Sequence, residues 1–414
     1  MQRFFSKFLS IGVVCLLLFL IDLYVFQAIR VVSQNLAPFA QQLLYIGYWA
    51  VFTLTAGTFA LFSFTRRRPA GTMQTYLVSS LFIFFASKLV MVAFLMLDDV
   101  LRIGKLALNS AGMAPAFDTA RSKLLSQLGL LLAAVPFTAF IWGMVKGAYE
   151  YRVKRLTLHF PNLPQAFDGY KMLQISDLHT GSFPSSEPLK EAVRLINSQQ
   201  ADLVFFTGDL VNNQAVEVQQ HMSTLQQIRA KDGVFSVLGN HDYGDYVSWP
   251  SAEAKQRNLL TLIESHGKMG WDILINENRM IAKGGQHIAI LGVENWGNRA
   301  GFPKYGRLDK AYAGVEEAPF KVLLSHDPSH WDGEVITRYP DIDLMLSGHT
   351  HGMQFGVNLF GWKWSPVQYM YKQWAGLYKK GRQHLYVNTG LGFLGYPGRV
   401  GFLPEITVFE LKRA

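Results

Sequence analysis

The sequence predicts an N-terminal α-helical bundle of about four membrane spans, followed by a C-terminal α/β domain of stacked β-sheets flanked by helices. Two observations carry this reading. Long uncharged runs of Leu, Phe, Val and Ala fill the chain up to about residue 145, and from about residue 150 charged residues, His and Gly return at globular frequency. Length agrees, because 414 residues exceed what one hydrophobic core usually supports. Composition sets the boundaries at 1–148 for the helical region, 149–169 for a linker and 170–414 for the second domain.

Residues 8–29, 44–64, 76–97 and 124–145 each reach the roughly 20 apolar residues needed to cross a bilayer. Arg3 and Lys7 precede the first run as they would precede a secretory signal. No small-x-small cleavage pattern follows promptly, however, and three further spans do, so the run reads as a span. With four alternating spans, Arg3, Lys7, Arg66, Arg67, Arg68, Lys146, Arg152, Lys154 and Arg155 fall on one side. Arg30, Arg102, Lys105, Arg121 and Lys123 fall on the other, diluted by Asp98, Asp99 and Asp118. The positive-inside rule then puts both termini, and the second domain, in the cytoplasm.

The single cysteine, Cys15, lies in the first span, so no intramolecular disulfide can form. Much of the net charge of +9 sits beside the spans, where anionic lipid headgroups are a simpler partner than nucleic acid, and no nucleic acid is expected. Asp22 and Lys88 are charges well inside spans one and three. They read either as a structural pair or as part of an ion or substrate pathway.

The second domain reads as strand-to-helix repeats. Residues 171–176, 202–207 and 234–238 are expected strands, with helices over 187–198 and 216–229. Further strands are expected at 287–293, 320–325, 342–347, 384–388 and 405–411. Ligands of open α/β sheets bind at the carboxyl ends of strands, and here each polar cluster follows an apolar run. Asp177 and His179 follow KMLQIS, Asp209 follows LVFFTG, and Asn240, His241 and Asp242 follow VFSVLG. His326 follows FKVLLS, and His349 and His351 belong to the segment after IDLMLS.

Asp177, His179, Asp209, Asn240, His326, His349 and His351 therefore form a candidate ligand set. Carboxylate, imidazole and amide-oxygen donors without thiolates suit Mn, Fe or Zn. Seven ligands exceed one tetrahedral or octahedral centre, so two divalent ions are the economical reading, and a carboxylate such as Asp209 can bridge ions about 3.5–4 Å apart. The blocks ISDLH, TGD, GNHD, the isolated SHD histidine and SGHTH resemble, in order, the signature of the calcineurin-like metallophosphoesterase superfamily. The resemblance runs from about Tyr170 to the C-terminus. The stretches GHTHGMQ and YVNTGLGFLGYPGRVGFLPEITVFEL are similar to its branch of membrane-associated bacterial phosphohydrolases, whose place is the bacterial inner membrane. Met353 departs from that branch, which usually has a second Gly there.

The resemblance implies one ion on Asp177, His179, Asp209 and His351, and a second on Asp209, Asn240, His326 and His349. It leaves His241 as general acid or transition-state donor, with Asp242 orienting its ring. It further implies a metal-bridging hydroxide attacking a phosphodiester or pyrophosphate of a lipid-linked or membrane-proximal substrate. A phosphomonoesterase, a protein phosphatase, or a ligand-binding receptor on the same fold are the alternatives. His159, His221, His266, His287, His330 and His384 match no block and read as surface or packing residues. The segment 360–380 mixes Trp362, Trp364, Tyr369, Tyr371, Trp374 and Tyr378 with four lysines. It reads as a membrane-interface element or as a loop packed over the sheet.

Overall fold

A computed structural model describes residues 2–65, 72–110, 119–299, 302–359 and 361–414. Arg66, Arg67, Arg68, Asp118 and Phe360, which entered the sequence reading, lie outside the described residues. The chain divides into two compact units, Met1–Trp142 and Gly143–Ala414.

The first unit contains the helices α1 (Gln2–Ser33), α2 (Pro38–Thr65), α3 (Thr72–Ser110) and α4 (Thr119–Val145), the last running a few residues beyond the unit boundary. Each carries a stretch long and apolar enough to cross a membrane: Ile11–Ser33, Pro38–Ser63, Gln74–Ala107 and Ser122–Val145. Large apolar side chains such as Leu17, Ile46, Phe82 and Leu131 point outward, as lipid-facing residues do. At 39 residues, α3 is about 58 Å long, roughly twice the hydrocarbon thickness. Its later part carries Asp98, Asp99 and Arg102.

Inside this bundle Asp22 of α1 and Lys88 of α3 form a buried ion pair. The Lys88 ammonium also lies 4.3 Å from the centre of the Phe84 ring and 5.0 Å from that of Tyr48. Tyr48 of α2 donates its hydroxyl to the Asp22 carbonyl at 2.9 Å, so three helices meet at this pair. Losing one partner strands a charge in an apolar interior, whereas replacing both removes the problem.

The strands of the second unit are β1 (Arg152–Phe160), β2 (Lys171–Ile175), β3 (Leu203–Phe206), β4 (Val234–Ser236), β5 (Asp272–Ile273), β6 (Glu277–Lys283) and β7 (Gln286–Gly292). They continue with β8 (Lys321–Leu324), β9 (Leu344–Ser347), β10 (Val357–Leu359), β11 (Trp362–Trp364), β12 (Gly376–Lys380), β13 (Gln383–Val387) and β14 (Glu405–Arg413). One six-stranded sheet runs β1-β14-β2-β3-β4-β5 and the other β12-β13-β9-β8-β7-β6, while β10 and β11 form a separate hairpin. Side chains alternate across a strand. Accordingly, Leu173 and Ile175 of β2 join the cluster under α5 (Glu187–Ser198), and Met172 joins the cluster shared by both sheets with Phe205, Val322, Leu344 and Phe409.

The segment 149–169, expected as a linker, holds β1, which pairs in parallel with β14 over its full length. Its basic, half-exposed face hides the pattern, but Leu158 and Phe160 are buried. Lys154 holds the buried carboxylate of Glu405 at 2.6 Å, and Tyr386 and Thr389 donate to the same group. The helix expected over 216–229 is broken into Val216–Gln219 and Met222–Leu225. The break falls at His221, whose buried ring bonds the Ser186 hydroxyl at 2.9 Å. The short or exposed strands β5, β6, β10, β11 and β12 and the helix Ala252–Lys268 were not read from the sequence.

Lys88→Met alone is expected to lower the stability of the detergent-purified protein by on the order of 3–5 kcal/mol, and Asp22→Leu with Lys88→Met to recover most of it. Thermal unfolding followed by circular dichroism checks this; a double variant as unstable as the single one would contradict it. His266, fully buried against Phe206 and Trp271, is pushed by burial from 6.5 down to about 3. The unfolded chain therefore takes up this proton first as pH falls below 6.5. Stability contributed by the neutral ring is complete above that value and declines by up to about 1.4 kcal/mol per pH unit on acidification. In His266→Gln the unfolding midpoint should depend less steeply on pH between 6.5 and 4 than in the parent chain.

Candidate metal centre

The carboxyl ends of β2, β3 and β4, neighbouring parallel strands of one sheet, and of β8 and β9, parallel neighbours in the other, carry all seven candidate ligands. A cross-sheet bond ties the two edges, since Gln174 of β2 donates to the Ser347 carbonyl of β9 at 2.9 Å. The backbone at this edge is unusual. Nine described non-glycine residues have positive φ, and five of them are Asp177, His179, Asp209, His349 and His351. Two more, Met353 and Gln354, follow directly in the same loop. Left-handed φ in non-glycine residues costs of order 1–3 kcal/mol and persists where the surroundings enforce it, typically at functional sites.

Two sets of donors result. Single ligand atoms of Asp177, His179, Asp209 and His351 lie within 4.8 Å of one another, as do those of Asp209, His326 and His349. His179 Nε2 lies 3.0 Å from His351 Nε2 and 3.5 Å from Asp209 Oδ2, and His351 Nε2 is 3.2 Å from Asp177 Oδ1. In the second set His326 Nε2 is 3.2 Å from Asp209 Oδ2 and 3.3 Å from His349 Nδ1, and Asn240 Oδ1 lies 2.8 Å from the same Nδ1. Asp209 belongs to both.

The outer nitrogens of His326 and His349 are occupied, whereas the buried His179 Nδ1 has no partner among the described residues. His326 Nδ1 donates to the Thr207 carbonyl at 2.7 Å, and His349 Nε2 meets the Tyr371 hydroxyl at 2.7 Å, with the Asp327 carboxylate 3.7 Å away. Each ring is thereby fixed with its other nitrogen turned inward, the arrangement that orients imidazole ligands in metal sites. Inward-facing nitrogens, two buried carboxylates and an amide oxygen fit divalent cations well and apolar or anionic guests badly.

Electrostatics agree with a site built around positive charge. Burial works to raise the carboxyls of Asp177 and Asp209, but the neighbouring imidazoles, His351 for the first and His326 for the second, outweigh it and hold both below the usual carboxylate range. Burial works to lower His326, but Asp209 and Asp177 push it up to about 10. Burial lowers His179 and His349 and keeps them neutral.

His241 is adjacent to the donors without belonging to either set. Its backbone N–H donates to Asp209 Oδ1 at 2.9 Å, and its ring centre is 5.0 Å from that of His179. The expectation that Asp242 orients this ring is corrected by the hydrogen bonds. The Asp242 carboxylate accepts from the backbone N–H groups of Asp209, Leu210, Val211 and Gly239, and burial and Asp209 raise it to about 7. His241 Nδ1 instead meets the Asn212 carbonyl at 2.7 Å, in a loop whose N–H groups at 212–214 are held by Glu217. The Tyr246 ring lies against that of His241, tilted by 40° with centres 4.5 Å apart, and its hydroxyl accepts from Asn240 Nδ2 at 2.9 Å.

Sequence reasoning missed Asn212, Tyr246 and Arg399, and named Tyr371 only as part of the aromatic segment without its contact to His349. The fully buried Arg399 guanidinium donates to carbonyls of Thr389 and Gly392 and lies 3.2 Å from His351 Nδ1. A backbone carbonyl and a tyrosine far along the chain leave no local signal, but a lone arginine in the apolar run 391–402 could have been noticed. His330 is a packing residue, bonded to Ser325 and Glu334 and stacked on Trp296 at 4.4 Å.

Such a site on an αββα sandwich defines a metal-dependent phosphoester hydrolase, here carried by a multi-pass membrane protein. The chain belongs to the calcineurin-like metallophosphoesterases. Residues 170–353 match the family described as calcineurin-like phosphoesterase. Residues 3–148 match the transmembrane domain described for a probable calcineurin-like phosphoesterase. The metallophosphoesterase YkuE of Bacillus subtilis is 33% identical over 255 residues, 60% of this chain and 82% of that one. A transmembrane protein with metallophosphoesterase domain of Danio rerio is 28% identical, over 76% of this chain and 68% of its own. The phosphodiesterase YaeI of Escherichia coli is 28% identical, over 58% of this chain and 82% of its own.

A Cβ at Gly348 would collide with Ser176 Oγ and Asp177 Oδ2. Gly348→Ala is therefore expected to bind less metal per chain than the parent, measured by mass spectrometry after gel filtration. Retention of the full complement would contradict this account of the loop.

Proposed function

We propose that the protein hydrolyses a phosphodiester or pyrophosphate bond of a lipid-linked or membrane-proximal substrate with two divalent ions, manganese, iron or zinc. The two-ion reading rests above all on Asp209, on which both donor sets meet. Asp177, His179, Asp209 and His351 are the ligands proposed for one ion, and Asp209, Asn240, His326 and His349 for the other. Bound there, such ions supply Lewis-acid charge to the phosphoryl oxygens and activate a water for in-line attack on phosphorus.

The remaining chemistry falls to the chain itself. Asn212 holds His241 Nδ1–H through its carbonyl, which leaves Nε2 as the atom that can deliver a proton to the leaving oxygen. Tyr246 packs against that ring, and Asp242 acts by positioning the backbone of Asp209. The lipid-proximal substrate is supported by the four apolar helices preceding the catalytic unit. We further place the protein in the bacterial inner membrane with its catalytic unit on the cytoplasmic side, on the basic residues flanking the spans.

The test is hydrolysis of a chromogenic phosphodiester and its matching monoester by the detergent-purified chain. Manganese should stimulate diester cleavage, Asn240→Ala should abolish it, and His241→Ala should lower turnover by about 10²–10⁴ with bound metal retained. Monoester cleavage exceeding diester cleavage would overturn the diester reading, and unchanged turnover in His241→Ala would remove its role as acid.

A further inference from the structure

The hairpin β10–β11 leaves most of its apolar face open. Its register pairs Val357 with Trp364, Asn358 with Lys363 and Leu359 with Trp362, so the apolar four share one face and Asn358 and Lys363 share the other. In an ordinary surface hairpin the apolar face packs inward. Here only Trp364 of the apolar face is partly covered, while on the other, equally exposed face the Lys363 ammonium donates to the Ala375 carbonyl and lies 5.3 Å from the centre of the Trp374 ring and 5.0 Å from that of Tyr378. Leu359 and Trp362 are left 56% and 61% exposed.

The exposure is concentrated. From β1 onward eleven large hydrophobic side chains are exposed among the described residues, and seven of them fall between Met353 and Leu377. Met353 is one of the seven, although its φ of 56° is a conformation that favours glycine. A side chain there is kept against backbone strain and points into solvent. Tyr369, 78% exposed, and Met370 extend the patch. Beneath it, Tyr371 and Trp374 turn inward into a small core with Val367 and Phe402. Their contacts to His349 and Thr350 fasten the segment to the metal loop.

Charge names the occupant. No Asp or Glu occurs in 344–404, while Lys372, Lys379 and Lys380 lie in or just after the patch. Aromatic residues and methionine among lysines, with no acid in the segment itself and Asp332 alongside it at 4.0 Å from Lys372, match the interfacial zone of an anionic bilayer, where rings sit at headgroup depth and ammonium groups meet phosphates. We propose that the apolar face of β10–β11, with Met353 and Tyr369–Met370, docks on the anionic lipid surface of the membrane the chain spans. The metal loop is thereby brought to headgroup level, so the substrate class is an anionic phospholipid or a phosphate ester embedded among such lipids. This last step rests on the membrane-proximal reading above; the docking does not.

The experiment uses the full chain with Cys15→Ser in nanodiscs of phosphatidylethanolamine and phosphatidylglycerol. Trp362→Cys and, as a control, Leu260→Cys each carry a nitroxide. Relaxation by oxygen, which partitions into lipid, is compared with relaxation by a water-soluble nickel chelate. The label at 362 is expected to favour oxygen and that at 260 to favour nickel. Equal nickel access at both positions overturns the docking. Shielding of 362 from both reagents overturns the lipid assignment and points to a protein on this face. Leu359→Glu with Trp362→Glu is further expected to lower the ratio of vesicle-embedded to soluble diester hydrolysis by about ten-fold. An immersed label on a parent chain that cleaves only soluble ester would support the docking and reject the lipid substrate.

Discussion

The carboxylate of Asp242 is the constraint on which the metal centre depends. It gathers the N–H groups of Asp209, Leu210 and Val211 from the loop after β3 and that of Gly239 from the loop after β4. Four donors onto one fully buried carboxylate hold Asp209 in its left-handed conformation and press it against Gly239, where a Cβ would strike the Asp209 side chain. Both donor sets use Asp209, so an error in this clamp would misplace both at once. A buried carboxylate without such partners would be costly; with them it becomes a fixed joint between two strand ends.

The second sheet supplies the other half of the centre through Gly348, the left-handed His349 and His351, and the packed residues Tyr371, Trp374 and Arg399 behind them. Preorganisation of this kind keeps ligand atoms close to their working positions before any ion arrives. It also explains why the segment 353–380 lies beside the chemistry: its inward aromatic residues support the metal loop, while its outward ones remain available to a surface.

Much of this was legible in the sequence because the signals were local. Four apolar runs gave four helices, and apolar pentads and hexads ending in Asp, His or Asn gave β2, β3, β4, β8 and β9 with the candidate ligands at their ends. β1 was hidden because its partner β14 lies some 250 residues away and its exposed face is basic, so it read as a linker. The role of Asp242 was misread for a similar reason: adjacency to His241 suggested a side-chain contact, but the carboxylate turns toward backbone donors contributed by another loop. The Asn212 carbonyl carries no side-chain signature at all. Of the aromatic segment, Tyr371 and Trp374 pack inward, as the loop reading expected, and Trp362 and Tyr369 are exposed.

The central claim is that Asp209 joins two cation sites. Anomalous diffraction from crystals of the manganese-loaded protein tests it most directly. The account predicts two peaks on either side of the Asp209 carboxylate, about 3.5–4 Å apart, one beside His179 and His351 and the other beside His326 and His349. A single peak, or two peaks neither of which touches Asp209, would contradict it.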